Sequence, residues 1–248
     1  MSKIYEALNK AKENPEDGPP QAKGKIPMAD GPSGRFEEQI RSVWANYETL
    51  HSSLAGVLGD LTGKVVAFAC SVEGEGTTTV VAEYGASLGT SGNKGTLLID
   101  ANLRAPKLHA LFGVENEKGL ADVLTGNQDL MSCVASLGEG RLSVLPSGMT
   151  TVSPTSLFNV PRCKKLFEAA REHFAIVLID CPPVVPYAET PLIASVADGM
   201  VLIIESDRTK REIVGRAKAA AQEAKAEILG VVLNRRRYVI PEFLYRYL

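Results

Sequence analysis

From Gly63 onward, short unbroken apolar runs alternate with stretches in which apolar residues recur every three or four positions. The runs are Val65–Cys70, Thr96–Asp100, Leu142–Leu145, Ile176–Asp180, Met200–Ile204 and Ile228–Leu233. Runs of this length, apolar on both sides of the pleat, are what strands become when helices cover both faces of a parallel sheet. The intervening helical patterns lie near Thr78–Leu88, Leu120–Thr125, Thr155–His173 and Thr209–Ala224. The alternation predicts an α/β fold with a doubly wound parallel sheet, in which ligands bind at the carboxyl ends of the strands.

The chain before this alternation has a different texture. Residues 1–12 place Ile4, Ala7, Leu8 and Ala11 on one face of a short N-terminal helix, too short to be stable in isolation. It reads as a docking helix, with a frayed terminus as the alternative. Residues 13–35 form a flexible linker, with five prolines and four glycines between Pro15 and Gly34. A helix is expected from about Phe36 to Val57, with Trp44, Tyr47, Leu50 and Leu54 on one side. The expected division is therefore 1–12 docking helix, 13–35 linker, 36–237 globular domain and 238–248 tail.

Composition narrows the function classes. The 248 residues carry 27 Lys and Arg against 29 Asp and Glu, a net charge of −2 that argues against a dedicated nucleic-acid binder. No apolar run approaches the ~20 residues of a bilayer-spanning helix, and no leader pattern opens the chain. Cys70, Cys133, Cys163 and Cys181 are widely spaced, so neither a disulfide framework nor a zinc site is expected. These features point to a soluble cytoplasmic protein.

Candidate chemistry sits where the first strand meets the first helix. Strand Val65–Cys70 runs into Ser71-Val72-Glu73-Gly74-Glu75-Gly76-Thr77-Thr78-Thr79. A glycine-rich strand-to-helix turn aims backbone N–H groups and the positive end of the helix dipole at an anion, although a tight turn without ligand would share this look. The phosphate-loop pattern GxxxxGK[ST] fits in part. Gly76 and Thr78 match it, Thr78 at the magnesium-ligating hydroxyl position, whereas Ser71 replaces the first glycine and Thr77 the lysine. Two other strands end in an acid, at Leu-Ile-Asp100 and Leu-Ile-Asp180-Cys-Pro-Pro, where carboxylates hold magnesium against nucleotide phosphates. A dinucleotide-binding reading fails because Thr79 stands where a third glycine belongs and Asp180-Cys-Pro-Pro has no role in it.

With these motifs, the opening Met-Ser-Lys-Ile-Tyr-Glu-Ala-Leu, Leu97-Leu-Ile-Asp-Ala-Asn-Leu-Arg104, Gly119-Leu-Ala-Asp-Val-Leu-Thr-Gly126, Leu145-Pro-Ser-Gly148 and Gly230-Val-Val-Leu-Asn234 make the chain resemble the bacterial tyrosine kinases of exopolysaccharide assembly. The resemblance implies a P-loop NTPase fold using ATP or ADP and Mg2+. It also implies a membrane partner, the chain-length determinant or polysaccharide co-polymerase, and an inner-membrane periphery reached through that partner. It assigns nucleotide binding to Ser71, Gly74, Gly76, Thr77, Thr78 and Thr79, and metal binding to Thr78, Asp100 and Asp180. It assigns catalysis to Asp100, Asn102, Asp180 and Arg104. Tyr238, Tyr245 and Tyr247 occupy the tail that the family phosphorylates in trans within a ring, with aromatic packing as the other reading of that segment.

The chain departs from that family at three places. Thr77 replaces the lysine that reaches the phosphates, and Asn102 replaces the second acid of an Asp-x-Asp-x-Arg motif. Ala45-Asn-Tyr-Glu48-Thr-Leu-His51 stands where a Glu-x-x-Arg-x-x-Arg oligomerisation motif is expected. Arg104, Lys107 or a neighbouring subunit could compensate for the lysine. The expectation is a nucleotide-binding, kinase-impaired regulator of exopolysaccharide or capsule polymerisation and export, a homo-oligomer or a hetero-oligomer with an active paralogue, contacting no nucleic acid. The alternatives are an active autokinase and, more weakly, a spatial-partitioning P-loop ATPase, against which Val72 replaces the signature lysine.

Overall fold

A computed structural model describes residues 47–89, 95–137 and 140–235. The docking helix, the linker, Trp44 and the three tail tyrosines lie outside the described residues. Helix α1 covers 47–58. The elements that follow are β1 (Lys64–Cys70), α2 (Thr77–Leu88), β2 (Thr96–Asp100), α3 (Leu108–Phe112), α4 (Leu120–Thr125), α5 (Leu130–Cys133), β3 (Ala135–Leu137), β4 (Leu142–Leu145), α6 (Pro154–Leu157), α7 (Val160–His173), β5 (Ile176–Asp180), α8 (Glu189–Val196), β6 (Gly199–Glu205), α9 (Arg211–Glu223) and β7 (Ile228–Asn234).

The sheet runs β3-β4-β2-β5-β1-β6-β7. Every pairing is parallel except β3 with β4, so the sheet is mixed at one edge where the sequence predicted only parallel strands. Both faces are covered. Val65, Ala67 and Ala69 face one core with Leu97, Ile99, Val177, Ile179 and the inner sides of α7, α8 and α9. Val66, Phe68 and Cys70 face the other with Leu98, Leu178, Tyr84 of α2 and Tyr47 and Leu54 of α1. This two-sided burial is why β1, β2 and β5 consist almost wholly of apolar residues.

One predicted helix divides. Instead of a continuous Thr155–His173, the chain leaves α6 at Phe158 and restarts at α7, with Asn159 extended at φ −147° and its side chain accepting from the Arg162 N–H. Pro161 sits in the first turn of α7, where a missing N–H costs nothing. Helix α9 likewise begins at Arg211, two residues later than Thr209. Among the described residues, no helix is long and apolar enough to cross a membrane.

Candidate functional site

The strands β1, β2 and β5 lie side by side, and all three end at one edge of the sheet. Leaving β1, the chain turns through Ser71–Gly76 into α2. Gly74 and Gly76 adopt φ +89° and +95°, a region that glycine enters without steric cost. Gly76 is also the N-cap of α2, and a Cβ there would collide with the Asn234 amide at the end of β7. No acidic residue and no side-chain cap occupies the first turn of α2, so its N–H groups remain available to an external anion.

The loop is braced from behind by Glu75, whose side chain is fully buried. One carboxylate oxygen accepts from the amides of Ser71 at 2.6 Å and Val72 at 2.9 Å. The other accepts from the Glu205 amide at 3.2 Å and from the Thr209 hydroxyl. Asn234 donates its amide to the Glu75 carbonyl at 2.8 Å, and Arg235 donates to the Gly74 carbonyl at 2.9 Å. Arg208 and Arg235 share the Glu205 carboxylate, at 2.7 and 3.1 Å. Burial pushes the Glu205 carboxyl up, but the hydrogen bond from Arg208 and the charge and hydrogen bond of Arg235 outweigh it and leave it below the ordinary range.

Asp100 and Asp180 are register partners on β2 and β5, so two carboxylates stand side by side at the strand ends. Asp100 accepts from the amides of Lys107 and Leu108, both at 2.9 Å, and of Asn102 at 3.3 Å. Burial raises its carboxyl above the usual range despite those three donors. Asp180 is raised well above, by burial first and by the Asp100 charge second. Neither Asp180 oxygen completes a hydrogen bond of good geometry, although the Thr78 hydroxyl lies close enough to oppose the rise. Ser71 Oγ is likewise buried without a partner, and Thr77 Oγ1 has only the Cys70 thiol close by.

The structure thus brings Ser71, Gly74, Gly76, Thr77, Thr78, Asp100 and Asp180 together, and sends three predicted residues elsewhere. The Asn102 side chain turns back to accept from the Ala105 amide at 3.3 Å. Thr79 is exposed on the outer side of α2. Arg104 lies across the β5–α8 connection, 2.8 Å from Glu189, 3.2 Å from Thr155 and 4.4 Å above the Tyr187 ring. Tyr187 in turn donates to Glu73 of the loop at 3.1 Å. Sequence reasoning missed Glu75, Glu189, Asn234 and Arg235; the strand-end rule that found Asp100 and Asp180 would also have pointed to Asn234, which closes β7.

The donor set fits a magnesium–nucleotide complex. Among the described residues, no group of three or more His, Cys, Asp or Glu side chains could hold a metal ion. Two paired carboxylates and the Thr78 hydroxyl suit Mg2+, which keeps several waters and is completed by substrate phosphates. Buried, unpartnered oxygens facing one edge are the groups such a complex would satisfy. Position 77 of the loop carries a buried, uncharged threonine.

Fold and site together define an α/β protein of the P-loop nucleotide-binding class. No protein-family model matches the chain. It is 32% identical over 206 residues to tyrosine-protein kinase YwqD of Bacillus subtilis, covering 83% of this chain and 84% of that protein. It is 35% identical over 173 residues to tyrosine-protein kinase CpsD of Streptococcus agalactiae, covering 69% of this chain and 75% of that protein. In structure it is similar to the kinase domain of Escherichia coli tyrosine kinase ETK, with a TM-score of 0.72 at 24% identity over 97% of this chain and 91% of the other. The chain belongs to the bacterial tyrosine-protein kinase family.

Proposed function

We propose that this chain is a nucleotide-binding regulator of exopolysaccharide or capsule polymerisation and export, with impaired kinase chemistry. The observation that carries the reading is Thr77: it fills the P-loop lysine position with a side chain only 6% exposed and uncharged. In this reading Ser71, Gly74, Gly76, Thr77 and Thr78 hold the nucleotide through the loop and the first turn of α2. Thr78, Asp100 and Asp180 hold Mg2+. Magnesium–ATP, when bound, supplies the transferable phosphoryl group and the metal's charge. The chain's own contribution is to orient the phosphates with backbone N–H groups, and to hold them without a lysine in the loop.

Phosphoryl transfer relies on positioning and on neutralising charge over the γ-phosphoryl oxygens. Removal of one preorganised donor in an enzyme site costs on the order of 10²–10³ in rate. Asn102 supports the same direction, since its side chain is engaged within its own loop and brings no second carboxylate. His51, at the third charged position of the oligomerisation motif, instead contacts Tyr84 at 3.1 Å. The protein then acts by assembly: residues 1–12 and the 13–35 linker tether domain 36–237 to a membrane chain-length determinant. Tail 238–248 receives phosphate from an active paralogue in a shared oligomer.

A second reading, an active ATP-dependent autokinase, is favoured by the retained Thr78–Asp100–Asp180 set. The spatial-partitioning ATPase reading has only the fold in its favour, a TM-score of 0.56 to a ParA family ATPase at 15% identity. Mass spectrometry of the tail after incubation with ATP–Mg2+ tests the proposal. No phosphate at Tyr238, Tyr245 or Tyr247 is expected in the isolated protein. Phosphotyrosine that appears in the natural protein and vanishes in Asp180→Ala would establish the autokinase.

A further inference from the structure

If the loop binds nucleotide without its lysine, the phosphate charge must be met from elsewhere, and four cations border the site. Three are committed. Arg104 is held by Glu189, Thr155 and the Tyr187 ring. Arg208 and Arg235 share one carboxylate, Glu205, and Arg235 is also spent on the Gly74 carbonyl behind the loop. Each of the three guanidinium groups is thus engaged by protein partners.

Lys107 differs on each count. Its amide donates to Asp100 at 2.9 Å, which anchors its backbone beside the carboxylate pair. Its residue is exposed, and among the described residues its ammonium enters no ion pair or hydrogen bond. It is nevertheless near enough to Asp180 to pull that buried carboxyl downward, against the burial and the Asp100 charge that raise it. The neighbouring basic group His109, in α3, is half-buried and acts on Asp100. A lysine is a compact charge on a flexible four-carbon stem, so it can reach a phosphate without the planar fit an arginine needs.

We propose that Lys107, carried on the loop after β2, supplies the positive charge to bound phosphates that Thr77 no longer provides. The cation of the site has thereby moved from the first turn of α2 to the strand end that bears Asp100. The inference rests on nucleotide binding by this loop, and it assigns to Lys107 the tuning of affinity rather than of fold. A lysine in this position faces the metal-binding carboxylates as well as the phosphates, so its removal affects the magnesium complex more than nucleotide alone.

The test is calorimetric titration of the full chain with ATP–Mg2+ and with ADP–Mg2+. Four variants are compared with the natural protein: Lys107→Gln, Lys107→Arg, Thr77→Lys and the double Thr77→Lys/Lys107→Gln. Lys107→Gln is expected to weaken ATP–Mg2+ binding at least tenfold with an unchanged melting temperature. Lys107→Arg is expected to stay within about threefold of the natural protein. The double variant is expected to regain what Lys107→Gln loses. Binding by the natural protein that Lys107→Gln leaves unchanged overturns this proposal alone. A double variant as weak as Lys107→Gln overturns it too, because the lost charge would then not be the one Lys107 replaces. No nucleotide binding by the natural protein overturns both this proposal and the regulator reading.

Discussion

The Glu75 carboxylate accepts a 2.6 Å hydrogen bond from the amide of Ser71, the residue that opens the very loop in which Glu75 sits. With Val72 held at 2.9 Å by the same oxygen, the loop is closed on itself by an internal anion. The opposite carboxylate oxygen reaches the end of β6 and Thr209, so the loop is also fastened to the sheet. Backbone N–H groups on the concave side are therefore shaped before any ligand arrives, which lowers the ordering cost of binding.

Removing that brace exposes its worth. Glu75→Ala leaves the buried Ser71 amide and its neighbours without an acceptor, at about 1–3 kcal/mol for each orphaned group. A total loss of roughly 2–5 kcal/mol is expected in urea unfolding. Glu75→Gln keeps one acceptor oxygen, so its loss is expected to be smaller. A Glu75→Ala protein within 0.5 kcal/mol of the natural one, on the scale of ordinary surface changes, would show that the loop keeps its shape by other means.

Much of this geometry was legible in the chain, and for a physical reason. Strands buried on both faces announce themselves as unbroken apolar runs, and Thr96–Asp100, Leu142–Leu145 and Ile176–Asp180 have the same bounds in the structure as in the sequence reading. Strand β3 is three residues long, Ala-Ser-Leu, and offers no such run. Helix α8 escaped because Glu189, Thr190, Pro191, Ile193 and Ala194 are buried together, leaving no polar face to create a period. Asp100 and Asp180 were readable as strand-end acids, whereas nothing in the loop's sequence singles out Glu75, which stands between two glycines. Only the approach of β6 and β7 to the loop makes it a buried brace. The family resemblance assigns Arg104 to the site through its Asp-x-Asp-x-Arg motif; the partner that draws it away, Glu189, is 85 residues further on.

Asp180 is expected to destabilise the nucleotide-free protein. Its carboxyl is raised by burial and by Asp100, so the folded chain retains a proton that the unfolded chain releases. An acid with a raised folded value lowers stability progressively as pH climbs from the ordinary aspartate range toward the folded one. Asp180→Asn removes this buried ionisable group and is expected to raise the melting temperature by about 2–8 °C at pH 7, for roughly 1–2 kcal/mol in a domain of this size. Near pH 3, where both forms of the natural protein hold the proton, the two proteins should converge. The same substitution should abolish the melting shift that ATP–Mg2+ gives the natural protein. A lower melting temperature for Asp180→Asn at pH 7 would contradict this account of the carboxylate pair.

Helix α1 supplies a second pH-dependent contact, made to Glu83 of α2. Tyr47 donates its hydroxyl to Glu83 of α2 at 2.8 Å, while its ring stacks at 5.8 Å on Tyr84. Burial raises the Glu83 carboxyl, and the Tyr47 hydrogen bond partly offsets the rise. Burial first, and then the Glu83 charge, push the Tyr47 hydroxyl far above its ordinary value, so it remains a donor at every accessible pH. Tyr47→Phe keeps the ring and removes only that donor. The folded value of Glu83 then rises further from the unfolded one. Below about pH 4, where Glu83 holds its proton in both states, the substitution should cost little. As pH climbs above that value, the unpaired carboxylate becomes costly to bury, and the loss should grow to roughly 1.5–3 kcal/mol, the range for hydrogen bonds to charged groups. Urea unfolding of the natural and Tyr47→Phe proteins at pH 4 and pH 8 measures the difference. A cost that is equal at both values would mean that Glu83 is already satisfied by solvent, and that α1 is held to α2 by its apolar side alone.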